Sequence, residues 1–193
     1  MNTEQRIESL ETRRLILRPF VSDDAEQLTA LLQDLEIHRW TGSIPYPYSI
    51  DDAHEFIGIR AKADEDGSTF GWAITLKDSG ELIGSIGLHD VQPEAGRAEL
   101  GYWLGEPYRG SGYTTEAARR VVSWSFEVLD LYRIQATFLP GNGASASVIR
   151  NIGMQEEGLM RGYGLKNGER IDLYIYSVLQ IDPTWVATAD QLA

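Results

Sequence analysis

The 193-residue sequence contains no cysteine. Disulfides, thiolate nucleophiles and cysteine metal sites are therefore excluded. Histidine is scarce. His38, His54 and His89 stand far apart, and none has a ligand-type partner at helical i, i+4 spacing. No metal site is expected, and each histidine is expected at the surface or in a loop. Basic residues are outnumbered, 17 against 29 acidic, for a net charge of −12. A nucleic-acid binder usually carries a basic face, so no nucleic-acid partner is expected. The acidic balance fits either simple solubility or a cationic acceptor such as an amine or basic peptide. There is no apolar run long enough to span a bilayer, and the first six residues lack a secretory pattern. The expectation is a cytoplasmic protein with no membrane partner. At 42% hydrophobic and 24% charged, the composition is that of an ordinary globular protein, long enough for one domain with a sizeable core.

No repeat, low-complexity tract or Pro/Gly/Ser-rich linker divides the chain, so residues 1–193 read as one domain with its core over about 12–180. Residues 12–20 read as a first strand, with Leu15 and Leu17 on one side and Arg14 and Arg18 on the other. Ser22, Asp23 and Asp24 start a helix striped by Ala25, Leu28, Leu31 and Leu32. A loop with prolines and glycine follows, carrying Trp40, Tyr46 and Tyr48. Ser49 to Asp52 forms a capping box for a second helix, closed by Gly67. Residues 70–76, 81–88 and 97–104 read as an antiparallel meander. Helical period then takes over, with Ala117, Val121, Trp124 and Val128 on one face. A strand at 132–139 makes this unit a parallel crossover. A short helix at 142–152, stopped by Gly153, and strands at 154–162 and 171–179 complete the pattern. The pattern holds seven strands, mostly antiparallel, and about four helices.

The segment Tyr108-Arg109-Gly110-Ser111-Gly112-Tyr113-Thr114 lies between a strand and a strongly amphipathic helix. Its glycines leave backbone N–H groups free to converge on an anion, and the helix start adds unsatisfied amides and a positive dipole end. Arg109 adds a cation. Together these suit a pyrophosphate. The alternative is a tight turn with a helix cap. Two familiar phosphate loops are ruled out: there is no Gly-Lys-Ser/Thr, and no Gly-x-Gly-x-x-Gly after the first strand.

Tyr102-Trp103-Leu104 followed by Arg109-Gly110-Ser111-Gly112-Tyr113-Thr114-Thr115-Glu116-Ala117 resembles the acetyl-CoA signature of the GNAT superfamily of N-acetyltransferases. The closest likeness is to the RimJ/RimL-like branch, which acetylates ribosomal-protein N-termini. Thr12 to Arg18, Tyr46-Pro47-Tyr48-Ser49, Ala98 to Leu104, and Asn142-Gly143-Ala144-Ser145 with Ile152-Gly153-Met154 agree with that branch. One departure is Thr114, where the family signature usually has Gly or Ala. A small β-branched residue is tolerable at a helix start. The resemblance implies an α/β (α+β) GNAT fold, with splayed central strands and acetyl-CoA as cosubstrate without a metal. Amides from Arg109 through Gly110, Ser111, Gly112, Tyr113 and Thr114 would hold the CoA pyrophosphate. The strand ending at Leu104 would diverge from that at 132–139 and admit the pantetheine arm. A backbone amide near Tyr102, Trp103 or Leu104 would polarise the thioester carbonyl. Glu116, in the first helical turn, would have to point away from the phosphate.

Acetyl transfer needs a neutral amine. An α-amine of pKa near 8 is roughly one-tenth neutral at pH 7, whereas a lysine near 10.4 is neutral in roughly one part in a few thousand. Glu99 is the candidate base or amine-orienting carboxylate; the alternative is a buried carboxylate bonded to backbone or to an arginine. Ser145 matches the family's Asn-x-x-Ser position and is the candidate proton donor to the leaving thiolate. Locally, Asn142 and Ser145 also read as a helix N-cap and first-turn residue. Asn142 could reach the pantetheine arm. Tyr102, Tyr174 and Tyr176 are alternative acids. Trp40, Tyr46 and Tyr48 either line the acceptor site or cover the sheet edge. Asp172 either binds the incoming ammonium or caps a turn. Residues 171–179 as an edge strand would allow a homodimer. Three functions follow: acetylation of a protein α-amine, acetylation of a small amine such as an amino acid, polyamine or antibiotic, and CoA sensing without turnover. Retention of Glu99, Asn142 and Ser145 argues against the third.

Overall fold

The computed structural model describes residues 7–42, 44–183 and 185, with only the backbone at 63–66. Among them are eight strands and five α-helices. In chain order these are β1 (Leu10–Glu11), β2 (Leu15–Arg18), α1 (Ala25–Leu31), α2 (Leu35–Trp40), α3 (Ile50–Asp66), β3 (Phe70–Leu76) and β4 (Leu82–Gln92). There follow β5 (Arg97–Leu104), α4 (Tyr113–Glu127), β6 (Arg133–Phe138), α5 (Gly143–Asn151), β7 (Gln155–Lys166) and β8 (Glu169–Leu179). The strands form a single sheet in the order β1-β2-β3-β4-β5-β6-β8-β7. Every neighbouring pair is antiparallel except β5 and β6.

The sequence pattern reaches this fold with three differences. The additional strand is β1, two residues long and too short to show alternation. The additional helix is α2, which ends at Trp40 and is N-capped by Asp34, whose Oδ1 accepts the Glu36 N–H at 2.8 Å. Six residues give little periodicity to read. The third difference is the sheet edge. Residues 171–179 lie in β8, an interior strand between β6 and β7, so the edge on that side is β7 and pairing between chains through β8 is overturned.

Both sheet faces are covered. On one, Leu15, Leu17, Ile86 and Leu100 pack with Val121, Val122 and Trp124 of α4 and Ile149 of α5. Trp72, fully buried, meets Trp124 edge-on at 5.1 Å between centroids. On the other, Leu28, Ile37, Ala53 and Ile57 of the first three helices pack over Ala73 and Leu82. The expected capping box of α3 is present: Ser49 Oγ accepts the Asp52 N–H at 3.1 Å, and Asp52 Oδ2 accepts the Ser49 N–H at 2.8 Å. Gly67 ends that helix in the left-handed region, at φ 70°. Arg18 ties β2 to the entry of α1 through a two-pronged pair with Asp24, at 2.8 and 2.6 Å. Asp24 is only 5% exposed and also accepts the Val21 N–H. No helix among the described residues is long and apolar enough to cross a membrane.

Losing one partner of a buried pair strands the other charge. Asp24→Ala should therefore lower the unfolding free energy by about 3 kcal/mol. Urea unfolding checks this; an unchanged midpoint would mean that the pair contributes nothing.

Candidate active site

The site begins where the sheet stops pairing. β5 and β6 are in register at Arg97 with Arg133, Ala98 with Ile134 and Glu99 with Gln135, and nowhere further along. Residues 100–104 and Ala136, Thr137 and Phe138 instead line a cavity of about 690 Å3. A strand edge without a ladder partner keeps backbone N–H and C=O groups available to a ligand. β5 remains anchored on its other side, because Leu104 still pairs with Gly84 of β4. That contact is close: a Cβ on Gly84 would stand 2.5 Å from the Trp103 carbonyl oxygen, so only glycine fits.

Two hydroxyls meet at the cleft. Tyr102 Oη and Ser145 Oγ lie 2.9 Å apart in a hydrogen bond. Ser145 is held at the start of α5, its N–H donated to Asn142 Oδ1 at 3.0 Å. Burial pushes the Tyr102 hydroxyl up to about 12, although its bond to Ser145 works the other way. Tyr102 is therefore neutral at physiological pH.

The glycine loop lies at the start of α4. Gly110 and Gly112 adopt left-handed φ of 77° and 79°, a conformation that side chains rarely tolerate. Gly112 is the N-cap and no side chain caps the helix, so the first-turn amides keep their donors for an anion. Arg109 and Thr114, on either side of the loop, line the cavity.

An open strand pair, an uncapped glycine-led helix and a hydroxyl pair between them are now in place. The acetyltransferase (GNAT) domain family matches residues 14–155. The chain belongs to the GNAT acetyltransferase family. It is 35% identical over 171 residues to the uncharacterized N-acetyltransferase YoaA of Bacillus subtilis, covering 89% of this chain and 96% of YoaA. It is 26% identical over 114 residues to the ribosomal protein uS5-alanine N-acetyltransferase of Escherichia coli, covering 58% of this chain and 59% of that enzyme. The fold is that of Mycobacterium smegmatis RimJ, solved with CoA-disulfide: TM-score 0.83 at 20% identity, over 96% of this chain and 95% of that one.

Within this GNAT fold the residues singled out from sequence take distinct places. Glu116 turns from the loop, as expected. Its Oε1 accepts from Thr12 Oγ1 at 2.7 Å and the Arg14 N–H at 2.8 Å, and its Oε2 from Arg14 Nε at 2.7 Å. Burial alone would raise this carboxyl, but the bonds from Thr12 and Arg14 together hold it below its usual range. The Arg109 guanidinium is engaged by the Leu104 carbonyl at 3.0 Å and by Asp34, so the loop offers its backbone amides and not that cation. The Glu99 carboxylate accepts from Thr137 Oγ1 at 2.6 Å and Gln135 Nε2 at 3.3 Å, bridging β5 and β6 where they separate. Trp40 and Tyr48 line the cavity, whereas Tyr46, 44% exposed, packs on His38 outside it. Asp172 lies inside β8 and away from the cavity wall; its Oδ1 accepts the Gly162 N–H at 2.7 Å where the β7–β8 register shifts. Among the described residues no group of acidic side chains and histidines is arranged to hold a metal.

Three functional neighbours escape sequence reasoning. Arg14, read only as a strand-face residue, also donates to the Ser111 carbonyl at 3.0 Å and stacks 4.4 Å over the Tyr113 ring, gripping the loop from behind. Lys166, at the β7 end of the last hairpin, donates to the carbonyls of His38 and Arg39 at 2.6 Å and of Thr41 at 2.9 Å, capping the C-terminal end of α2. Both contacts join residues about a hundred positions apart, beyond any local pattern. His89 corrects an expectation: it is neither a surface nor a loop residue but a half-buried member of β4 that lines the cavity. The alternation of β4 could have located it.

Glu116→Gln should raise the KM for acetyl-CoA about tenfold by loosening the Arg14 grip, with kcat nearly unchanged. Because Glu116 titrates below its unfolded value of about 4.3, its stabilisation is complete above that pH and is lost as pH falls through its depressed folded value. The stability gap between wild type and variant should be open at pH 7 and close below about pH 4. Paired thermal melts over that range read it directly; a gap independent of pH would contradict the assignment.

Proposed function

We propose that this protein transfers the acetyl group of acetyl-CoA to the α-amine of a protein N-terminus by direct attack on the thioester. The observation that carries the reading is the alignment of the uncapped α4 start, the β5–β6 opening and the Tyr102–Ser145 pair along one cavity. A pyrophosphate fits the first, a pantetheine arm the second and a departing thiolate the third. Amides of Gly110, Ser111, Gly112, Tyr113 and Thr114 would hold the pyrophosphate. A backbone N–H of β5 would polarise the thioester carbonyl. The neutral amine attacks the carbonyl carbon, and the C–S bond breaks as C=O re-forms. The thiolate takes its proton from Ser145, backed by Tyr102. The leaving thiolate, whose thiol has a pKa of about 8.5 by analogy with cysteine, is a weaker base than an aliphatic amine, so one hydrogen-bond donor is sufficient for its departure.

Support for a peptide acceptor comes from three sides. An α-amine is roughly one-tenth neutral at pH 7 and needs only modest help. Trp40 and Tyr48 give the acceptor side aromatic walls, and the chain is strongly acidic, which favours an N-terminal ammonium on approach. Among the relatives, the Escherichia coli enzyme is by its name an alanine N-acetyltransferase of a ribosomal protein.

A thiol-release assay with acetyl-CoA tests the reading. Short peptides with free N-termini should turn over, and the same peptides blocked at the N-terminus but carrying lysine should not. Turnover confined to small amines would contradict it. Ser145→Ala should reduce kcat at least tenfold while the KM for acetyl-CoA stays within twofold; equal kcat would remove Ser145 from the mechanism.

A further inference from the structure

Among the titratable side chains that line the cleft, Glu36, Asp52, Glu55, Arg60 and His89 have no part in the chemistry above, and of these His89 stands beside the strand opening. His89 of β4 stands directly across from Glu99 of β5. Its ring leans over Gly101, the next β5 residue on that face: a Cβ there would stand 3.0 Å from both Cδ2 and Nε2. Gly101 lies just past Glu99 and Gln135, the last paired residues of β5 and β6. Nε2 is thus set at the lip of the opening, at a position kept clear by the missing side chain.

Glu99 and His89 are side by side but differently engaged. The Glu99 carboxylate is bonded to Thr137 and Gln135 and forms no part of the cavity wall. His89 lines the cavity, and its ring makes no hydrogen bond with any described residue. We propose that Nε2 of His89 receives the proton of the acceptor amine. The inference rests on the acetyl-transfer reading above. The charged groups around the ring are Arg60 of α3, Glu99 of β5 and the adjacent Asp90, itself paired with Arg97 at 3.2 Å. Burial first, then Arg60, pushes His89 down to about 4. The ring is therefore unprotonated at neutral pH, and as a base it equals an ordinary carboxylate of about 4.

In the step, the amine lone pair forms the C–N bond as the carbonyl π pair moves onto oxygen. The nitrogen's proton passes to His89 Nε2, with the other ring proton on Nδ1. The oxygen pair re-forms C=O, the C–S bond breaks, and the thiolate takes the Ser145 proton. Water at the cavity mouth then removes the proton from His89 and returns one to Ser145.

The test uses the whole protein, acetyl-CoA and a peptide acceptor on which wild type turns over. His89→Ala should lower kcat about 100-fold, with the KM for acetyl-CoA and the thermal stabilisation by acetyl-CoA unchanged. Added imidazole should restore turnover in proportion to its unprotonated fraction. A packing role would not produce that rescue. Should the alanine variant fail to fold, His89→Gln should show the same loss of kcat with acetyl-CoA stabilisation retained. Activity within threefold of wild type, or a loss that imidazole does not restore in a folded alanine variant, overturns the inference and leaves the acetyl-transfer reading standing. Absence of any turnover by wild type would instead sink that reading, and the inference with it.

Discussion

The structure turns on a hydrogen-bond ladder that is cut short. β5 is held along its length by β4 but by β6 only from Arg97 to Glu99. The other interior strands, β2, β3, β4 and β8, each pair with a neighbour on both sides. Past Glu99, the edge of β5 that faces β6 lines a cavity instead. Backbone groups without a ladder partner remain available to water or to a ligand, which makes the opening the natural place for one to dock. The rest of the fold keeps it open. Gly84 lets β4 lie close against β5, and Glu99 with Thr137 and Gln135 bridges the strands at the point of divergence.

The second constraint is at the start of α4. Two left-handed glycines release the amides, but a flexible loop alone would be a poor cradle. Thr12, Arg14 and Glu116 turn it into a fixed one. The carboxylate in the first turn of α4, Glu116, is thereby engaged by Thr12 and Arg14. Arg109, tied to Asp34 at the N-cap of α2, joins the same loop to the helix that walls the acceptor side.

Most of the framework was legible in sequence because it follows short-range rules. Alternation located the meander, the Ser49–Asp52 box and Gly67 bounded α3, and helical period marked α4. β1 and α2 were not legible, since two and six residues carry too little periodicity. The position of β8 inside the sheet was missed because strand order is a matter of long-range topology, on which period-2 alternation is silent. In the site, the strand–glycine-loop–helix arrangement was readable from local pattern, whereas Ser145 was singled out only by its resemblance to the family's Asn-x-x-Ser position. The contacts of Arg14 and Lys166 were not readable, because they join chain segments remote in sequence, and His89 was missed because the strand was read as ending at residue 88 rather than at Gln92. Asp172 shows the reverse limit: an acidic residue near a turn suggests a ligand, whereas here it pins a backbone N–H at a register shift.

The cavity thus combines the unpaired backbone edge of β5 with side chains gathered from α2, α3 and β4. The central claim is that the unpaired edge of β5 and the uncapped start of α4 together hold acetyl-CoA. Amide hydrogen exchange with and without acetyl-CoA tests it most directly. The account predicts slowed exchange at residues 100–104 and 110–115, with β1 to β3 unchanged. Protection confined to other elements, or none at saturating acetyl-CoA, would contradict it.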